Sequence, residues 1–148
     1  MCLISVIIPF YKKHQFIEKS VDSAINQLFK NIEIIIIHDD PGDKDFSLIE
    51  RIKKKDKRIK IIRNTKNLGA GISRNLGITV SKGEYIAFLD ADDVWYPNKL
   101  TLQINFMKSK NIQFSHTSYE IVNENGNILS ERISPTQLEF NQLIKSCD

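Results

Sequence analysis

The sequence predicts an α/β fold: a mostly parallel sheet flanked by helices, with a β-hairpin added at the C-terminal end. Three observations predict it. Short β-branched runs alternate with longer amphipathic stretches, the pattern of βαβ units. One of those runs, residues 33–37, is almost continuously Ile, as a strand with both faces covered requires. After residue 111 the pattern changes to two apolar runs joined across Asn125-Gly126, a strong hairpin signal. With 148 residues, 41% hydrophobic and 26% charged, the chain has material for one domain-sized core rather than two.

Four strands are expected at residues 3–8, 33–37, 60–62 and 85–89. Between the first two, Ile17, Val21, Ala24, Ile25 and Leu28 keep a helical spacing and form a predicted core stripe. Phe46, Ile49 and Ile52 do the same before the third strand, and Ile72, Leu76 and Val80 before the fourth. Pro97 suits a first helical turn, with Leu100, Ile104 and Met107 as the buried positions; Met107 reads as core and not as a ligand. Residues 112–122 and 128–133 are the two hairpin strands. Ser134-Pro135-Thr136-Gln137 then reads as a helix start that buries Leu138 and Leu143 or Ile144.

Composition excludes several classes. Six Gly and four Pro are too few for a collagenous or linker-like chain, and the aliphatic content is too high for disorder. Cys2 and Cys147 have no CxxC spacing, so neither a disulfide framework nor a zinc site is indicated, and a reducing cytoplasm fits best. The first apolar run lacks a preceding basic region, and no run reaches the roughly 18 apolar residues of a membrane helix. The net charge of +3 is uneven: residues 51–60 carry seven Lys or Arg against one Asp, which leaves the remainder at −3. That argues against a nucleic-acid binder. The run fits a helix C-terminus, where cations oppose the macrodipole, and is also the candidate contact for an anionic membrane face.

Ligands of open α/β sheets bind beyond the carboxyl ends of the strands. Here the second strand runs into His38-Asp39-Asp40 and the fourth into Asp90-Ala91-Asp92-Asp93. Five carboxylates at one edge repel each other unless a cation or hydrogen-bond donors compensate. All are oxygen ligands without His or Cys at ligand spacing, which favours Mg²⁺ or Mn²⁺ over zinc; such ions are usually shared with substrate phosphate. The first strand is followed by Pro9-Phe10-Tyr11-Lys12-Lys13 with no Gly-rich turn, so neither a dinucleotide fingerprint nor a P-loop is present. Gly69-Ala70-Gly71 alone is weak. Diphosphate charge must then be met by metal and by cationic side chains, Arg74 first among them. His14, His38 and His116 carry no assigned role, and Trp95 has packing as its simplest one.

These residues resemble the family 2 glycosyltransferases, of the GT-A (Rossmann-like) nucleotide-sugar-binding fold. The likeness covers essentially the whole chain through ISVIIPFYK, EIIIIHDDPGD, NLGAGISRNLGI and GEYIAFLDADDVWYPNKL, four motifs in family order. It implies that Pro9 and Tyr11 line the nucleotide pocket and that Asp40, beside Asp39, contacts the base. It also implies that Arg74 lies near the ribose and diphosphate, and that Asp90, Asp92 and Asp93 form the DxD region, with Asp92 and Asp93 on a divalent cation. The implied activity is metal-assisted, inverting transfer of a sugar from a nucleoside-diphosphate donor to the hydroxyl of a glycan or lipid-linked acceptor in cell-surface polysaccharide synthesis.

Two departures stand out. Pro41-Gly42 follows the acid pair where the family often has Gly-Ser, and position 13 is Lys rather than a small polar residue. The family's general base comes from an acidic motif downstream of the hairpin, and Asp148 matches nothing in it. The expectation is therefore the donor-binding portion of a family 2 domain over residues 1–148, truncated on the acceptor side, with no assigned base. The alternative is an inactive nucleotide-sugar-binding domain. Exposed apolar surface on such a portion would favour self-association. Two other readings fit less well: a phosphatase of the haloacid-dehalogenase type opens with its aspartate loop, and a receiver module places its acid pair after the first strand.

Overall fold

In the computed structural model, residues 2–42 and 46–135 are described. The chain divides into two compact units, Met1–Leu102 and Gln103–Asp148. The first holds a four-stranded parallel sheet of β1 (Ile4–Phe10), β2 (Ile32–His38), β3 (Ile59–Arg63) and β4 (Tyr85–Phe88), in the order β3-β2-β1-β4. The connecting helices are α1 (Ile17–Ile25), α2 (Ser47–Lys55) and α3 (Gly69–Val80). This is the predicted α/β architecture, each strand extending a residue or two differently from its expected bounds.

Right-handed crossovers fix where the helices lie. From β1 to β2 to β3 the chain steps one way across the sheet, so α1 and α2 cover one face. From β3 it returns past two strands to β4, so α3 covers the other. The direction of travel reverses between β1 and β4, which makes the carboxyl end of β1 the topological switch point.

β2 is buried at all seven positions, which explains its run of Ile. Ile7, Ile35 and Ile37 form a core cluster on the α3 side, with Ile62, Leu76, Val80 and Ile86 against it. Ile17, Val21, Ala24, Ile49 and Ile52 are fully buried from α1 and α2.

Two predicted core residues are not core. Leu28 is exposed because α1 ends at Ile25, and Ile72 is exposed because α3 turns a different stripe inward, with Ser73 and Gly77 buried. Gly77 is the reason. A Cβ there would lie 2.4 Å from Ile7 Cγ2, so the helix backbone itself approaches β1.

The basic run is largely absorbed within this unit. Lys53, Lys54 and Lys55 occupy the last turn of α2, as expected. Arg51 pairs with Glu18, Lys55 with Glu18 and Asp22, Arg58 with Asp56, and Lys60 with Glu33. Three of these acids lie on α1 or β2, so the cations join neighbouring elements.

α4 (Lys99–Lys110) crosses from the first unit into the second, with Leu100 and Ile104 buried and Met107 half-buried. The second unit pairs β5 (Tyr119–Val122) with β6 (Ile128–Arg132), antiparallel. The turn is made by Asn123, whose Oδ1 accepts from the amides of Asn125 and Asn127, while Gly126 takes φ +83°. The first hairpin strand is shorter than expected: residues 112–118 are not extended into the ladder, and Ser115 is held instead by Gln103 of α4. The helix expected from Thr136 onward, with Leu138, Leu143 and Ile144, and Cys147 and Asp148, lies outside the described residues. Among those described, no helix is long and apolar enough to cross a membrane.

A buried network at the amino ends of the strands ties the sheet together. Glu33 accepts from Ser5 Oγ, Lys60 Nζ and the Lys82 amide, each at 2.6 Å. Burial alone would raise the Glu33 carboxyl pKa, but the Lys60, Ser5 and Lys82 donors outweigh it and hold the group below the usual carboxylate range. A depressed folded-state pKa contributes stability above the unfolded value near ~4.3, lost as pH falls through the folded value. The unfolding free energy should therefore decline below about pH 5, and less steeply in Glu33→Gln, when followed by urea denaturation. In the same assay Gly77→Ala should cost about 1–3 kcal/mol, because Ile7 is enclosed and cannot swing away.

Candidate active site

Parallel strands deliver their carboxyl ends to one edge, and there β2, β1 and β4 place Asp39, Pro9 to Tyr11, and Asp90 side by side. A cleft of about 240 Å³ opens at this edge. Its walls are Pro9 and Phe10 at the end of β1 with Tyr11 and Lys13 after it, Asp39 after β2, Asn67 before α3, Gly69, Ala70, Ser73 and Arg74 from α3, and Asp90, Ala91 and Asp92 after β4. Six of the candidate residues thus line one cavity: Pro9, Tyr11, Asp39, Arg74, Asp90 and Asp92. Asp40 and Asp93 adjoin lining residues in the chain without lining it themselves.

Asp39 is buried, and both carboxylate oxygens are occupied. Oδ1 accepts from the Leu68 amide at 2.9 Å and from Asn64 Nδ2 at 2.6 Å; Oδ2 accepts from the Gly69 amide at 2.8 Å. These amides begin α3, whose own N-cap residue, Leu68, has no side chain able to accept. Asp39 therefore caps a helix from another element, where negative charge also opposes the helix dipole. Asn67 Nδ2 adds a bond to the Asp39 carbonyl at 3.2 Å. Asp40 is also buried, and its Oδ1 accepts from the Gly42 amide at 3.2 Å, so the altered Pro41-Gly42 turn closes on the acid before it.

Capping sets the position of α3, and α3 aims Arg74 across the cleft. Arg74 Nη2 donates to Asp90 Oδ1 at 2.6 Å. On the other side Lys13 Nζ lies 2.8 Å from Asp92 Oδ2, and the hydrogen bond and charge of Asp92 raise the Lys13 pKa. Asp93 has no partner of this kind among the described residues. Partial desolvation, then the charges of Asp90 and Asp92, raise its carboxyl pKa.

Beyond the acids, Lys99 Nζ sits 3.7 Å over the Trp95 ring, and burial lowers its pKa to about 8. His38 is buried with its ring 5.3 Å from those of Phe10 and Phe46, and His14 packs edge-on against Phe10.

No three His, Cys, Asp or Glu among the described residues are placed to hold a metal as a protein cage. The donor set fits the other mode of hard-cation binding, through one or two carboxylates completed by phosphate oxygens. Asp92 and Asp93 are suited to that, being solvent-accessible and crowded by like charge. The Lys13–Asp92 pair is itself exposed and well screened, so a divalent ion could displace it readily.

Sequence reasoning did not single out Lys13, Asn64, Asn67 or Ser73 as parts of this site. Lys13 was visible as a departure from the family pattern; the others are ordinary polar residues whose partners lie on different elements.

The fold is of the GT-A type, and comparison with known proteins gives the family. Residues 5–145 match Glycosyl transferase family 2. The chain belongs to that family. It is 43% identical to an uncharacterized glycosyltransferase of Rickettsia bellii, over 97% of this chain and 21% of that protein. It is 37% identical to the UDP-Glc:alpha-D-GlcNAc-diphosphoundecaprenol beta-1,3-glucosyltransferase WfgD of Escherichia coli, over 98% of this chain and 56% of WfgD. The chain thus spans well under two thirds of either relative. Among solved structures, the mannosyltransferase PcManGT of Pyrobaculum calidifontis, in complex with GDP-Man and Mn²⁺, superposes with a TM-score of 0.64 at 20% identity, covering 70% of this chain and 32% of that one, a likeness of fold.

Removing the Asp39 carboxylate leaves three donors without their acceptor. Asp39→Ala should lower stability by about 1–3 kcal/mol and speed amide exchange at Leu68 and Gly69 more than in α1, measured by hydrogen exchange.

Proposed function

We propose that this chain carries the donor site of an inverting glycosyltransferase that takes a sugar from a nucleoside diphosphate and passes it to the hydroxyl of a glycan or lipid-linked acceptor. The observation that carries the reading is the cleft at the β1/β4 switch point, where acids of two strands and the arginine of α3 converge in a family 2 chain. Pro9 and Tyr11 form the wall against the nucleotide. Asp40 contacts the base. Asp39 acts on the same pocket by fixing the first turn of α3 along it, and Asp90 and Arg74 serve the ribose and diphosphate side.

Transfer forms a bond from the acceptor oxygen to the anomeric carbon and breaks the bond from that carbon to the diphosphate oxygen, which leaves with the electron pair, while the acceptor hydroxyl gives its proton to a general base that is not assigned to any residue of this chain. Asp92 and Asp93 hold the divalent cation, Mn²⁺ or Mg²⁺. When bound, it neutralises charge on the leaving diphosphate. Arg74 and Lys13 bring side-chain positive charge to the same cleft. Two amides at the α3 N-terminus, those of Leu68 and Gly69, are already taken by Asp39. WfgD is named for UDP-Glc and for a diphosphoundecaprenol-linked acceptor, which makes UDP the first nucleotide to test and a membrane surface the expected location of the acceptor.

Thermal unfolding with UDP, GDP, dTDP and CDP, each with and without Mn²⁺, tests the reading. One nucleotide, expected to be UDP, should raise the melting temperature by several degrees only with Mn²⁺, and the double variant Asp92→Ala/Asp93→Ala should lose the shift. A folded protein that no nucleotide stabilises would overturn it.

A further inference from the structure

Residues 90–98 carry the acids that matter most, yet they form neither helix nor strand. Their charges repel, and apart from the turn bond from the Asp93 amide to the Asp90 carbonyl, little within the segment holds it. Besides the Arg74–Asp90 and Lys13–Asp92 pairs on its side chains, what holds its backbone is a stripe on α1 and just beyond. Ser20 Oγ donates to the Asp90 carbonyl at 2.9 Å. Ser23 Oγ accepts from the Trp95 amide at 3.1 Å. Gln27 Nε2 donates to the Tyr96 carbonyl at 2.8 Å, and Gln27 Oε1 accepts from the Leu100 amide at 3.0 Å. The Leu28 amide adds a bond to the Pro97 carbonyl at 2.8 Å.

Ser20 and Ser23 stand i, i+3 on one side of α1, and Gln27 follows just past the helix end. That face is where apolar residues belong, and Ser20 and Gln27 are fully buried. Buried polar side chains are costly unless paired, and here the partners are backbone groups of the acidic loop. Gln27 is placed to do most, because one amide hydrogen bonds the loop at the Tyr96 carbonyl, its oxygen accepts from Leu100 in the first turn of α4 that follows the loop, and a second hydrogen bonds the Ser23 carbonyl at 3.1 Å.

We propose that Ser20, Ser23 and Gln27 are the positioning residues of the acidic loop, with Gln27 the principal member, and that they set the separation at which Asp92 and Asp93 meet a divalent cation. The metal part rests on the functional reading above; the positioning part does not. Groups that orient metal ligands from outside typically change metal affinity by ~10–100-fold when lost.

Trp95, the single tryptophan of the chain, reports on the loop directly. In Gln27→Leu, acrylamide should quench Trp95 fluorescence more efficiently while the far-UV circular dichroism stays native. The Mn²⁺ concentration needed for half-maximal UDP binding should rise about tenfold. Glu33→Gln, which loosens the network at the amino ends of the strands away from the cleft, serves as the control for general destabilisation and should change neither readout. If Gln27→Leu does not fold, Ser23→Ala, which removes one loop bond, carries the same two measurements. Wild-type quenching in a folded Gln27→Leu, or in Ser23→Ala where that variant replaces it, overturns the positioning role. Altered quenching with an unchanged Mn²⁺ requirement overturns its link to the metal. If the wild-type chain shows no Mn²⁺-dependent UDP binding, the functional reading and the metal link fall together, and Trp95 quenching still decides the positioning role.

Discussion

The carboxylate of Asp39 is the contact on which the rest of the site depends. It closes β2 onto the first turn of α3 through the Leu68 and Gly69 amides, and so fixes one end of the helix that crosses the sheet from β3 to β4. With that end fixed, Gly77 comes down on Ile7 two turns later, and Ser73 and Arg74 face the cleft between. The bond from Arg74 to Asp90 is then a consequence of helix placement rather than a chance meeting of surface charges. An acid that looks in sequence like a ligand thus works first on geometry.

Charge at this edge follows a simple rule: every buried or crowded carboxylate needs a donor or a cation. Asp39 has three donors, Asp40 an amide, Asp90 an arginine and Asp92 a lysine. Asp93 has none among the described residues, and it is the acid of this group whose carboxyl pKa is clearly raised. The edge is therefore balanced acid by acid until the last member, for which the described residues supply no such partner.

Much of this was legible because the signals were local. A near-continuous Ile run says a strand is covered on both faces, and acids directly after a strand must stand at the sheet edge; β2 and the two acidic turns were readable for those reasons. Periodicity failed where another constraint chose the buried face. Ile72 keeps the helical spacing, but close approach at Gly77 turns α3 so that Ser73 is inside and Ile72 outside. Leu28 continues the α1 stripe on paper and falls beyond the helix end. Residues 112–118 have strand composition, yet Gln103 captures Ser115. The polar residues that hold the acidic loop carry no local signal at all, since Ser20, Ser23 and Gln27 find their partners 69 to 73 positions away. Nothing in their immediate sequence tells a buried brace from a solvated face.

The same geometry bears on how the proposed donor site would do without a glycine-rich loop. Folds that use such a loop leave the amides of a helix N-terminus open to the anion. Here Asp39, an internal anion, takes two of those amides, Leu68 and Gly69, so a diphosphate bound there would draw more of its positive charge from side chains and a cation. The cations in reach, Arg74 and Lys13, are already paired with Asp90 and Asp92. An incoming diphosphate would therefore compete for Arg74 and Lys13 while a divalent ion competes for Asp92, so the two exchanges assist one another. Each ligand releases a charge that the other requires, which is a physical basis for nucleotide and metal binding together more tightly than either binds alone.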